Sequence, residues 1–213
     1  ISRGAVMSRL LRFICLWLLI GFTLGLGLSN AVAMPAAANQ AGWVEIGQGS
    51  ASRGAGISQT LGSRHQNVSL AIGSDGTAVA AWEAEQGEIP EIYVRRWNGT
   101  TWVELGPGSA SGGGISNSPT TKSTSPAVVV DSDGRPIVAW AQSDEWPYYK
   151  WSIYVKRWDG IAWVEMGEGS ASGHGISGDS GYAPSLAIGP DNLPVIAWEN
   201  GLAGKSHIYI KKW

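Results

Sequence analysis

Short apolar runs separated by turn-forming residues dominate the chain beyond residue 42. The run Val68–Ile72 is almost continuously apolar, which is typical of a strand covered on both faces. An Asp75-Gly76 turn follows, and then a second run from Ala78 to Trp82, so the two runs predict a hairpin. No later stretch shows the 3.6-residue periodicity of an amphipathic helix. The pattern therefore predicts an all-β fold.

The same pattern occurs three times. The phrase Trp102-Val103-Glu104-Leu105-Gly106 has an earlier copy that starts 59 residues before it, at Trp43, and a later copy that starts 61 residues after it, at Trp163. Each copy continues with Gly-Ser-Ala-Ser and then Gly-Ile-Ser. A third apolar run, such as Ile92–Trp97, comes before each of the two later copies. Each unit predicts four short strands, and the fixed period indicates a repeat architecture.

Four antiparallel strands repeated side by side are typical of β-propeller blades. Units 42–106, 107–167 and 168–213 predict about three blades, which form a partial or fragment ring. The first unit opens on a fourth-type run at 43–47 and the last ends on a third-type run at 208–213, so we expect the first run to complete the last blade. Closed propellers typically carry four to eight blades. Three explanations stay open: a truncated gene product, a homodimer that completes a six-bladed ring, and an open array of three units.

The turn between the third and fourth runs predicts a strand register. If Asn98-Gly99 is a two-residue turn, as this dipeptide favours, then Arg95 faces Trp102 and Tyr93 faces Glu104. The same count places Lys156 opposite Trp163 in the next unit. A cation over an indole face would add about 0.5–1 kcal/mol.

The first 33 residues have the features of a secretory signal peptide. Three arginines precede an apolar run from Phe13 to Leu28, and Ala31-Val32-Ala33 is a small-x-small cleavage pattern. Residues 34–41 then form a flexible leader. The apolar run is short for a membrane span of about 20 residues, and a retained membrane anchor is the alternative. We therefore expect a secreted or cell-surface protein that has no membrane contact after cleavage.

Charge and cysteine content indicate which partners and which covalent links the chain can have. The whole chain has 15 Lys and Arg against 17 Asp and Glu, and loss of Arg3, Arg9 and Arg12 with the signal segment makes the remainder more acidic. A nucleic-acid partner is excluded on this ground, since phosphate binding needs a basic surface. The single cysteine, Cys15, lies in the signal segment, so no disulfide is expected.

The phrases Asp133-Gly134-Arg135-Pro136-Ile137-Val138-Ala139-Trp140 and Ile153-Tyr154-Val155-Lys156-Arg157-Trp158 resemble repeats of large secreted bacterial proteins with propeller domains. They are also similar to Trp-rich lectin propellers and sialidase-like propellers, over about residues 42–213. The resemblance implies the propeller fold. The Asp box of sialidase-like repeats is not matched, because Asp133 stands directly between Ser132 and Gly134.

Aromatic residues are the candidate binding residues. The tryptophans that recur in the units are interpreted as packing between blades: Trp43, Trp82, Trp102, Trp140, Trp163 and Trp198. Four aromatic residues instead occur once each, in a loop of the second unit: Trp146, Tyr148, Tyr149 and Trp151. Loop aromatics carry recognition more often than core residues do, so these four are the predicted ligand-binding residues.

No catalytic or metal-binding constellation is found in the sequence. His65, His174 and His207 are scattered and read as loop residues, and no HExxH, Ser-His-Asp or CxxC spacing occurs. The recurring glutamates Glu45, Glu104 and Glu165 indicate a structural role, since glycosidases need two unlike carboxylates. We expect no cofactor and no metal.

Three functional hypotheses follow. The leading one is a secreted, non-enzymatic propeller module for binding or display, with a carbohydrate or another cell-surface component as its partner. The second is a fragment of a sialidase-like glycoside hydrolase. The third is a structural or protein-interaction repeat, which an exposed, unpaired strand edge at residues 208–213 would favour.

Overall fold

The computed structural model describes residues 42–52, 54–60, 62–85, 89–143, 150–202 and 205–213. The proposed signal peptide and leader, and the candidate residues Trp146, Tyr148 and Tyr149, lie outside these described residues. The chain divides into two compact units, Ile1–Trp43 and Val44–Trp213. The strands described below belong to the second unit.

Three antiparallel sheets follow one another along the chain. Blade 1 contains β1 (Arg64–Ile72), β2 (Ala78–Glu85), β3 (Glu91–Trp97) and β4 (Trp102–Glu104). Blade 2 contains β5 (Ser123–Val130), β6 (Pro136–Ser143), β7 (Trp151–Trp158) and β8 (Trp163–Glu165). Blade 3 contains β9 (Tyr182–Ile188), β10 (Pro194–Leu202) and β11 (Lys205–Lys212), in the order β11-β10-β9. The prediction of an all-β fold built from propeller blades is confirmed.

The hydrophobic core lies between successive blades. Along β6, Val138 and Trp140 contact the core shared with blade 1, whereas Ile137 and Ala139 contact the core shared with blade 3. Because side chains alternate across a strand, a nearly continuous apolar run supplies both cores at once. Each fully buried Val or Ile contributes about 1.5–3 kcal/mol, so stacking of blades is the main source of stability.

The predicted hairpin register is wrong. Trp97 pairs with Trp102, and Arg95 pairs with Glu104, because the loop has four residues rather than two. The Asn98 side-chain oxygen accepts hydrogen bonds from the backbone amides of Thr100 and Thr101, at 2.9 Å each. An Asx turn of this kind replaces the two-residue turn.

The register of the corresponding hairpin in blade 2 differs from the prediction in the same way. Lys156 pairs with Glu165 and not with Trp163, so the predicted cation–π pairs do not form. The Lys156 ammonium instead lies 5.9 Å from the ring centre of Trp140. It also donates a 2.8 Å hydrogen bond to the carbonyl of Ile115 in blade 1.

The Gly/Ser-rich segment after each short fourth strand covers the remaining edge of the third strand. In blade 1 the Val94 amide donates to the Ser109 carbonyl at 2.7 Å, and the Ile115 amide donates to the Ile92 carbonyl at 2.8 Å. The Ser109 hydroxyl accepts from the Leu105 amide at 2.8 Å, and Glu104 accepts from the Ala110 amide at 3.1 Å. The structural role predicted for the recurring glutamates is confirmed. We call residues 105–116, and their counterparts 166–177, the edge-covering segments.

A tryptophan seated on a glycine joins each unit to the next. The Trp158 ring of blade 2 packs on Gly106 of blade 1, and a Cβ added to Gly106 would lie 2.8 Å from that ring. Beside this contact, Trp163 Nε1 donates to the Leu105 carbonyl at 3.0 Å. Equivalent glycine contacts hold the other junctions, in the pairs Gly47–Trp97 and Gly167–Trp213. We call this arrangement the Trp–Gly junction.

The expectation that residues 43–47 complete blade 3 is wrong. Residues 44–47 form no strand with β11, and they contact blade 1, where Trp102 Nε1 donates to the Ile46 carbonyl at 2.8 Å. Trp43 is fully exposed, in contrast to the packing role expected for it.

Trp140, Trp163 and Trp198 pack between blades as predicted, because they lie in or against the cores shared by neighbouring blades. Trp102 contacts residue 46, in the copy of the phrase that precedes it. Trp82 differs from the prediction, since it packs against Tyr93, Ala84 and Ala110 of its own blade.

Substitution of Gly106 by alanine tests the Trp–Gly junction. Gly106 has φ +80° and the Trp158 ring above it, whereas Gly76 has φ +79° and open space around it. Gly76→Ala therefore reports the backbone strain alone, about 1–2 kcal/mol. We expect Gly106→Ala to lower the free energy of unfolding by about 1–3 kcal/mol more, because the ring must move. Denaturant unfolding measures both, and equal losses would contradict the junction.

Candidate ligand-binding face

The start of β1 and the end of β2 lie at one end of blade 1, and the end of β6 and the start of β7 lie at the same end of blade 2. Glu85 and Arg64 pair at this end of blade 1, and Ser143 and Trp151 pair at the same end of blade 2. The β1–β2 and β3–β4 turns lie at the opposite end, because neighbouring strands are antiparallel. We call the end that carries Glu85, Ser143 and Trp151 the loop face.

Trp151 lies on the loop face and contacts an aromatic residue of the next blade. It is half-buried at the start of β7, and its ring centre lies 5.8 Å from that of Tyr182, with the planes tilted by 47°. Tyr182 begins β9 and is 38% exposed. Burial raises the pKa of the Tyr182 hydroxyl, so the hydroxyl stays protonated at neutral pH. The pair forms an accessible aromatic surface across the boundary between blades 2 and 3.

Three charged or ionisable side chains are near this aromatic pair in the sequence and contact one another. Lys150 Nζ lies 2.6 Å from one Asp179 carboxylate oxygen, and His174 Nδ1 lies 2.7 Å from the other. The hydrogen bond and charge of Lys150 hold the pKa of Asp179 below its usual range. Asp179 is thus ionised at neutral pH. We call Lys150, Trp151, His174, Asp179 and Tyr182 the Trp151 cluster.

Sequence reasoning found one of these five residues. Trp151 was predicted as a ligand-binding residue, and the other three predicted aromatics lie outside the described residues. Tyr182 does carry a sequence signal, because Gln66 and Thr124 occupy the corresponding positions of the other units. Asp179 and His174 carry none, since their approach to Lys150 depends on blade packing. His65 and His207 were expected in loops but lie in β1 and β11.

Two buried glutamates lie near the loop face of blade 1. Glu83 accepts hydrogen bonds from Gln66 at 2.6 Å and Asn67 at 2.7 Å, and also from Thr124 of blade 2. Asn67 reaches Glu83 because β1 bulges there, with φ +53° at Asn67. The carboxylate therefore ties the bulge to the adjacent blade.

Glu91 at the start of β3 has a similar surrounding. It accepts a 2.7 Å hydrogen bond from the Ser118 amide, and it also bonds to the Ser116 and Ser123 hydroxyls. Burial raises the pKa of Glu91, although these hydrogen bonds oppose the shift. Both carboxylates have protein partners for their oxygens, which indicates a structural rather than a catalytic role.

Within the described part of the chain, no three His, Cys, Asp or Glu side chains converge as metal ligands would. Among the same residues, no helix is long and apolar enough to cross a membrane.

The chain matches no protein-family model and no curated protein. Its structure is similar to that of an endo-arabinase from Bacteroides thetaiotaomicron, at 18% identity and a TM-score of 0.46, over 70% of this chain and 56% of the enzyme. A Hadza microbial sialidase matches at 15% identity and a TM-score of 0.48, over 70% of this chain and 35% of that protein.

A fucose lectin from Kordia zhangzhouensis, solved with methyl-fucoside, matches at 12% identity and a TM-score of 0.40, over 68% of this chain and 95% of the lectin. The chain spans about half the length of the endo-arabinase and about a third of the sialidase. Similarity at this level does not identify a ligand for this chain.

Substitution of Glu91 by glutamine tests its buried charge through the pH dependence of stability. Burial raises the folded-state pKa of Glu91 above the ordinary 4.5, so the unfolded chain loses this proton first as the pH rises. The wild type therefore loses stability as pH rises through that window. We expect the stability of Glu91→Gln, relative to wild type, to increase between about pH 4 and about pH 7.

Chemical denaturation at a series of pH values measures this difference. Glu85→Gln, at the half-exposed end of β2, is the control for removing a glutamate charge from the same blade. A Glu91→Gln curve parallel to that of the wild type would show that burial does not perturb this carboxyl.

Proposed function

We propose that this chain is a secreted, non-enzymatic β-propeller module that binds carbohydrate on its loop face, with cell-surface glycans as the partner. The Trp151 cluster is the observation that carries the proposal, because it combines accessible aromatic faces with a ready set of polar groups. The signal-peptide features of residues 1–33 support export.

The chemistry of the cluster suits a sugar. A pyranose presents an apolar C–H face that can pack on the indole of Trp151 or the ring of Tyr182, while its hydroxyls need donors and acceptors nearby. Asp179 offers an ionised acceptor, and Lys150 offers a charged donor. Hydrogen bonds to charged groups are stronger than neutral ones, so these groups would fix the orientation of a ring held by the aromatic pair.

The glycoside-hydrolase hypothesis has less support. Acid and base carboxylates must both face the scissile bond, about 5–9.5 Å apart. Glu83 and Glu91 are buried and bonded to protein groups, and Asp179 is the acidic member of the Trp151 cluster. A single accessible carboxylate held by two side-chain nitrogens fits binding better than acid–base catalysis.

Replacement of Trp151 by alanine tests the binding site. A glycan array with the wild-type chain first identifies a ligand, and calorimetry then compares the variants. We expect Trp151→Ala to weaken binding at least about tenfold, since an aromatic anchor typically contributes this much or more. Asp179→Asn should also weaken it, because the amide cannot replace the charged acceptor.

The matched control is Ile161→Ala, which removes an exposed apolar side chain at the opposite end of the same blade and should bind as the wild type does. Absence of glycan binding by the wild type at millimolar sugar would reject the ligand class. Binding that Trp151→Ala leaves intact would place the site elsewhere.

A further inference from the structure

Each of the first two Trp–Gly junctions contains an open groove. The first junction groove measures about 320 Å³ and lies between residues 47–59 and the β3–β4 turn. The second junction groove measures about 340 Å³ and lies between residues 105–117 and the β7–β8 turn. Both grooves are therefore at the end of the blades opposite the loop face. Their volumes fall at the lower end of the range of about 300–1,000 Å³ that is typical of small-molecule sites.

The two grooves are built from equivalent residues. Each of the ten residues that line the first groove has a counterpart, at the same position of the repeat, in the lining of the second. Six of the ten are identical in the two grooves: Gly47, Ser50, Gly56, Ile57, Trp97 and Trp102. Because the second groove lies between two four-stranded sheets, the groove is a feature of the repeat itself.

Two indoles form an aromatic wall in each groove. The ring centres of Trp97 and Trp102 lie 6.0 Å apart, with the planes tilted by 52°. Those of Trp158 and Trp163 lie 5.9 Å apart, with a tilt of 56°. All four side chains are half-buried. Although the Trp97 ring packs on Gly47, the pair also lines the groove, so apolar ring surface is available to a ligand there.

The four lining positions that differ between the grooves are all exposed and form the rim. In the first groove these positions hold uncharged side chains that form hydrogen bonds: Gln48, Gln59, Thr100 and Thr101. In the second groove the same positions hold a less polar set: Pro107, Asn117, Ile161 and Ala162. Because the same junction forms with either set, folding does not require the polar groups of the first rim. They are therefore free to serve recognition.

The chemistry of the first groove suits a neutral sugar ring. Amide and hydroxyl side chains both donate and accept hydrogen bonds, as the hydroxyls of a sugar do, and the indoles can accept the apolar C–H face of a pyranose. None of the ten described residues that line this groove is charged, so a charged ligand would find no counter-ion among them. In the second groove Ile161 and Ala162 replace both threonines, and these partners are lost.

We propose that the first junction groove is a second carbohydrate site, which binds one neutral pyranose against Trp97 and Trp102 through the polar side chains of its rim. This site is distinct from the loop-face site, because it lies at the opposite end of the blades and shares no residue with the Trp151 cluster. A chain with sites at both ends can link two glycans.

Titration of the full chain with methyl glucoside, methyl galactoside and methyl mannoside tests the first groove. Every chain carries Trp151→Ala, so the result does not depend on the Trp151 cluster. The indole N–H signals in NMR spectra report where a sugar binds. At least one of the three glycosides should shift the signals of Trp97 and Trp102 at millimolar sugar. The signals of Trp163 and of the buried Trp140 should stay in place.

Exchange of the rim for that of the second groove gives a matched variant. Thr100→Ile combined with Thr101→Ala introduces residues that the corresponding turn of blade 2 already carries, so the fold should be kept. The exchange should weaken binding at least about fivefold, because each lost hydrogen bond lowers the affinity by about two- to tenfold. The control is Ser74→Ala, which removes an exposed hydroxyl from the β1–β2 turn at the same end of blade 1 and should leave the affinity unchanged.

Unmoved signals of Trp97 and Trp102 with all three glycosides would overturn the proposal. Equal shifts of the Trp163 signal would also overturn it, because the polar rim would then not select the sugar. An affinity that the rim exchange leaves unchanged would show that the threonines do not bind. The loop-face proposal is tested in the chain that retains Trp151, so failure of either proposal leaves the other standing.

Discussion

The seating of one tryptophan ring on one glycine is the contact on which the rest of this structure depends. Gly47, Gly106 and Gly167 all have φ between +80° and +88°, a region that residues with a Cβ avoid. The bare Cα lets the ring of the following blade approach to van der Waals contact. At Gly47 and Gly106 the neighbouring indole also donates its N–H to the carbonyl just before the glycine. Position and orientation of the next blade are fixed together, and the two interblade cores can form.

The edge-covering segments satisfy the backbone groups of the third strand that the short fourth strand leaves unpaired. Beyond the end of the short fourth strand, the backbone of these segments forms hydrogen bonds with the backbone of the third strand. Their serine hydroxyls bond to nearby backbone groups. The segments also present the Ile115 and Ile176 carbonyls to the lysines of the following blade, Lys156 and Lys211. Burial lowers the pKa of Lys156, and Glu165 and Glu91 oppose that shift. The glycine- and serine-rich composition therefore reflects close backbone packing between blades.

The architecture could be predicted from sequence because short apolar runs bounded by turn residues are local signals, and because the repeat is visible in the sequence itself. The runs ending at Trp82 and Trp97 fall in β2 and β3. The hairpin register could not be predicted, since Asn98 and Asp159 compete with the two-residue turn through their own side chains. Trp151 was found because it is unique among the units. Asp179 and His174 were missed because only the packing of blade 3 on blade 2 brings them to Lys150.

Native-state hydrogen exchange of the Trp158→Ala chain tests the central claim most directly. If the Trp–Gly junction couples the blades, the amides of β2 and β6 should exchange with one common free energy of opening in the wild type. The variant should show two separate values, because blades 1 and 2 would then open independently. A variant in which both strands still exchange with a single, unchanged free energy would contradict the account.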